Sequence, residues 1–114
     1  MISVAVYRVV FWLSLVTILA LSLVSVSDTE PLFIGQDKLL HALAYAGLYC
    51  LLIQAYNNQF GLGSLALSLA IFGLLVEVIQ FFIGYRQAEI WDFVANSLGI
   101  FLVACMARYL KARR

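Results

Sequence analysis

Four apolar runs separated by short polar links set the pattern of this chain. They are Val9 to Val26, Leu39 to Tyr56, Leu62 to Ile83 and Phe93 to Leu110. The shortest has 18 residues, which as a helix covers ~27 Å at ~1.5 Å per residue, close to a hydrocarbon core of ~30 Å. The longest, with 22 residues, covers ~33 Å. The pattern predicts an all-α, four-transmembrane-helix bundle forming one domain over residues 1–114. Val9 to Val26, with small residues after it, also has the form of a signal peptide. It exceeds the 7–15 residues of a signal core, which favours a retained helix.

The polar positions inside these runs carry the next level of information. Asp37, His41 and Tyr45 are spaced i, i+4, i+8 and share a helical face, with Ala44, Gly47 and Leu48 near it for close packing. Gly73, Glu77, Gln80 and Gly84 step by four, three and four along a face of the third run. Asp92, Asn96 and Gly99 form a stripe on the fourth. By rise per residue, His41 lies ~6 Å below Asp37, Asn96 ~6 Å below Asp92, and Glu77 ~9 Å below Ile83. Three helices thus bring polar groups to one level, which predicts a pocket lined by Asp37, Lys38, His41, Tyr45, Glu77, Gln80, Arg86, Asp92 and Asn96. An ionisable group at membrane depth costs about 2.5–3.5 kcal/mol on insertion scales, so such groups usually face protein or water and carry function. The bland alternative is an interhelical polar contact worth ~0.6 kcal/mol that fixes register, with Glu77 paired to Lys38 or Arg86.

Composition agrees with lipid as the main solvent. Hydrophobic residues make up 65% of the 114 and charged residues 11%, beyond what a core this small could hide. Lys and Arg set orientation. Arg8 precedes the first run, and Arg108, Lys111, Arg113 and Arg114 close the chain, against one Lys before the second run and Arg86 in the third link. Both termini are therefore expected in the cytoplasm and the polar level at the outer face. Tyr7, Trp12, Tyr56, Phe60 and Tyr109 then form an inner aromatic belt. A net charge of +1 with no basic stripe argues against nucleic acid. Cys50 and Cys105 lack metal-ligand spacing and are read as small packing residues. No G-x-S-x-G, H-E-x-x-H or aspartate-rich metal cluster is present, and no cofactor motif is read.

Asp37-Lys38-x-x-His41-x-x-x-Tyr45, Glu77-x-x-Gln80, Gly84-x-Arg86 and Asp92-x-x-x-Asn96-x-x-Gly99, in this order, resemble the VanZ-like family of small bacterial membrane proteins. The likeness runs from Asp37 to Gly99. It departs at Tyr85, where many members read more like Pro-Gly-Arg, and at Ala42, where an aromatic is common. It implies a multi-pass protein of the bacterial inner membrane, with the polar positions above as its motif residues. The family's namesake is associated with low-level teicoplanin resistance. Two activities follow as expectations. One is binding of an envelope lipid, a lipid-linked or glycopeptide-type precursor, or a partner helix, with Lys38 and Arg86 meeting an anionic group. The other is an intramembrane hydrolase or transferase in which Glu77 and Asp92 share acid and base roles and His41 carries the proton. Proton-coupled transport ranks last: the inner half shows no polar route, and four helices would need a homo-oligomer to make one.

Overall fold

Each apolar run folds as a helix because lipid-compatible side chains leave the backbone no partner but itself. The computed structural model describes residues 2–23, 32–83 and 90–113. Its helices are α1 (Val4–Leu23), α2 (Gln36–Tyr56), α3 (Leu62–Ile83) and α4 (Ile90–Ala112). All four are long and apolar enough to cross a membrane.

The bounds of α3 fall where hydropathy puts them. The other helices differ, and the reason is local. α2 starts at Gln36 rather than Leu39, so Asp37 and Lys38 are helical and not part of the preceding loop. The Gln36 Oε1 accepts the Leu32 backbone N–H at 2.5 Å, and Asp37 in the first turn suits the positive end of the helix dipole. α4 starts at Ile90, which takes Asp92 into its first turn, and runs on to Ala112 with Lys111 in its last. α1 begins at Val4, five residues before the apolar run.

α2 is the central element. It packs against all three others, most extensively α4 and then α1, whereas α1 and α4 do not meet among the described residues. Tyr45, Leu48, Tyr49 and Leu52 of α2 form the core with Phe11 of α1, Leu65 and Leu69 of α3, and Ile100 of α4. The Tyr49 hydroxyl donates to the Leu62 carbonyl at 2.8 Å, which ties the start of α3 to α2. α1 is held at both ends. Near its start, Arg8 Nε donates to the Ala55 carbonyl at 3.0 Å, and Trp12 Nε1 donates to the Tyr56 hydroxyl at 2.9 Å. At its far end the Ser22 carbonyl accepts Gln80 Nε2 at 2.7 Å. This helix is packed as a member of the bundle.

The exterior is the apolar side. Leu13, Phe81, Phe82 and Trp91 are all exposed by 65% or more, a surface compatible with contact to bilayer lipid and far more apolar than water tolerates. Two packing expectations change. Cys50 and Cys105 lie on this outer surface, not in the core. Gly47 also faces out, with nothing within 4 Å of the position a Cβ would take. The close helix contact is made instead by Gly99, where a Cβ would stand 2.1 Å from the Ala42 carbonyl oxygen.

Candidate functional site

The polar cluster is a product of that crossing. Gly99 lets the backbones of α2 and α4 approach at Ala42, and the residues one and two turns toward the N-terminus of α4 then fall opposite the start of α2. Asp92 and Asn96 sit at i and i+4 on α4, while Lys38 and His41 sit at i and i+3 on α2, so the two pairs face each other. Lys38 Nζ lies 2.8 Å from Asp92 Oδ1 and 2.6 Å from Asp37 Oδ2. His41 lies between the two α4 side chains. Its Nδ1 is 3.1 Å from Asn96 Oδ1, and its Nε2 is 3.6 Å from Asp92 Oδ2. Asp92 and Asn96 are buried, His41 and Lys38 are half-buried, and Asp37 is exposed at the rim.

The ring geometry constrains where a proton can be. With the Asn96 oxygen at Nδ1, the ring donates there and Nε2 faces a carboxylate, which is favourable only when the ring or the carboxyl holds a further proton. Turning the Asn96 amide over makes Nδ1 the acceptor and Nε2–H the group that faces Asp92. In both arrangements Nε2 faces the Asp92 carboxylate at 3.6 Å, a gap that a polar group of a ligand can bridge.

α3 supplies the third side. A Cβ on Gly73 would lie 3.2 Å from Asn96 Nδ2 and 3.2 Å from the Tyr45 ring, so the missing side chain makes room for both. Glu77, one turn further along α3, is buried and interacts electrostatically with Tyr45. Glu77 and Lys38 both have further contacts, so neither is idle.

The expected set therefore divides. Lys38, His41, Asp92 and Asn96 form one bonded network, and Asp37 joins it at the rim. Tyr45 and Glu77 flank it from the core side. Gln80 turns elsewhere: its amide nitrogen bonds the end of α1, and its buried Oε1 has no partner among the described residues. Arg86 lies outside the described residues. Among the described residues no group of three His, Cys, Asp or Glu side chains is placed to hold a metal ion. Sequence reasoning missed the Ala42 carbonyl as the surface Gly99 accommodates, and the Ser22 carbonyl as the acceptor for Gln80. Both are backbone atoms, which side-chain pattern cannot reveal, although Gly99 in register with Asp92 and Asn96 marked the stripe along which α4 makes contact.

The fold and site define a bundle of four helices, each able to span a membrane, with a carboxylate-rich polar cluster buried near one end. Set beside known proteins, the chain matches no family model, no curated protein and no solved structure.

Proposed function

We propose that this is a VanZ-like multi-pass protein of the bacterial cytoplasmic membrane. Its polar cluster binds the headgroup of an envelope lipid, a lipid-linked precursor or a partner, and so influences envelope properties, glycopeptide susceptibility included. The observation that carries this reading is the Lys38–Asp92–His41–Asn96 network, placed beside a buried Glu77. A buried ion pair with mixed partners is a poor source of stability, since an apolar replacement is often as stable or more so. Keeping three carboxylates, a lysine and a histidine in an otherwise apolar bundle therefore points to use.

Native mass spectrometry of protein purified from its own membrane tests this. A co-purifying polar ligand that is lost in both Asp92→Asn and Glu77→Gln supports the reading. Retention of the same ligand in both variants, or its absence from the unaltered protein, contradicts it.

The His41–Asp92 geometry also favours a second reading, an intramembrane hydrolase or transferase on a lipid-linked substrate. His41 and Asp92 would then manage the proton and Glu77 would serve as the second acid or base. Comparative lipidomics of cells carrying Glu77→Gln discriminates: accumulation of one lipid-linked species supports an enzyme, and an unchanged profile removes it.

A further inference from the structure

At the other end of the bundle, about 26 Å along α2 from Lys38 to Ala55 by helical rise, a second feature stands apart from the polar cluster. α1 and α3 touch only sparsely. Between them, floored by Leu52 and Tyr56 of α2, runs an open apolar cleft of about 440 Å³. Its walls include Phe11, Leu15, Leu69 and Phe72, and only Ser64 and Ser68 interrupt them. The mouth is differently built. Trp12 and Tyr56 are hydrogen-bonded to each other there, and Arg8 lies one turn before Trp12 on the same face of α1. Its guanidinium sits 4.7 Å above the Tyr56 ring, fixed by the bond from Nε to the Ala55 carbonyl. The stacked, half-buried guanidinium uses only Nε in its described hydrogen bonds, which leaves the fork of Nη donors for an oxyanion.

We infer that this cleft holds one acyl chain of an anionic phospholipid, with the lipid phosphate at Arg8. The inference rests on residence in a membrane and is independent of what the polar cluster binds. Charge decides the occupant: a single arginine at the polar end of an apolar slot complements an anionic lipid headgroup, which the apolar helix face of a second copy does not offer.

The test uses the full-length protein in detergent, with phosphatidylglycerol and phosphatidylcholine of identical chains as probes, read by native mass spectrometry. One phosphatidylglycerol per chain should be retained in preference to phosphatidylcholine. Arg8→Gln should reduce that preference by about fivefold, the effect of one basic side chain at an anionic surface. Ser68→Phe, which fills the cleft from an exposed position on α3, should lower retention of both lipids while thermal stability is kept; Ser64→Leu serves should Ser68→Phe not fold. Equal retention of the two lipids by the unaltered protein overturns the inference. So does undiminished binding in the filled variant. A shift from dimer to monomer with unchanged lipid binding in that variant would assign the cleft to a second copy and overturn it as well.

Discussion

Replacing Gly99 with alanine tests whether the α2–α4 crossing holds both the fold and the site. The added Cβ would stand 2.1 Å from the Ala42 carbonyl oxygen, and its next neighbours are also backbone atoms of Ala42. No rotamer change can relieve that contact. Reaching even 3.0 Å, a separation real Cβ atoms almost never undercut, requires the two backbones to part. That parting strains the Lys38–Asp92 and His41–Asn96 contacts, now 2.8 Å and 3.1 Å, which span the same crossing. Overpacking costs about 1–3 kcal/mol, and two interhelical polar contacts at ~0.6 kcal/mol each add to it, for a loss of about 2–4 kcal/mol. Reversible unfolding in mixed micelles of increasing SDS fraction, followed by circular dichroism, measures this. Gly47→Ala is the internal control. Its Cβ meets nothing, and alanine favours the helix by about 0.5–1 kcal/mol over glycine, so it should unfold at or above the wild-type SDS fraction. Gly99→Ala unfolding together with wild type, or both variants losing equally, would refute the account of the crossing.

Other perturbations separate the roles of the polar residues. Lys38→Met leaves Asp92 buried without its cation and should cost about 1–3 kcal/mol, below the 3–5 of fully buried pairs because Lys38 is 30% exposed; adding Asp92→Leu should restore stability to within about 1 kcal/mol. Gly73→Ala meets only side-chain atoms of Asn96 and Tyr45, at 3.2 Å, so these can give way and the loss should be about 1 kcal/mol in the same unfolding assay. Gln80→Leu removes one bond to α1 worth ~0.6 kcal/mol together with a buried oxygen that has no described partner, so stability should change by less than about 1 kcal/mol.

Hydropathy made the helices legible, and α3 most clearly, because its 22 residues carry one carboxylate and one amide between breaks. It hid the first turn of α2 for a physical reason: a helix end emerging from an apolar slab has the polar composition of a loop, and here Gln36 bonds Leu32, Asp37 suits the dipole and Lys38 is held by Asp37 and Asp92. The level of the polar groups was also legible, since rise per residue puts His41, Glu77 and Asn96 at similar depth. Their pairing was not. That Lys38 meets Asp92 depends on how α2 and α4 are rotated, and that is fixed by which glycine lies at the contact. Gly47 and Gly99 are equivalent as letters in an apolar run. Only the facing surface, the Ala42 carbonyl, distinguishes them. The division of labour between Gln80 and Asn96 was hidden for the same reason, since a backbone carbonyl at the end of α1 draws one amide out of the cluster.

The central claim is that the network between α2 and α4 is there to be occupied. A density map of the protein extracted with its surrounding lipid, without detergent exchange, tests it most directly. The account predicts non-protein density within hydrogen-bonding distance of Asp92, His41 or Glu77, absent from the map of Asp92→Asn. A closed network with side chain against side chain and no added density, in protein taken straight from its membrane, would contradict it.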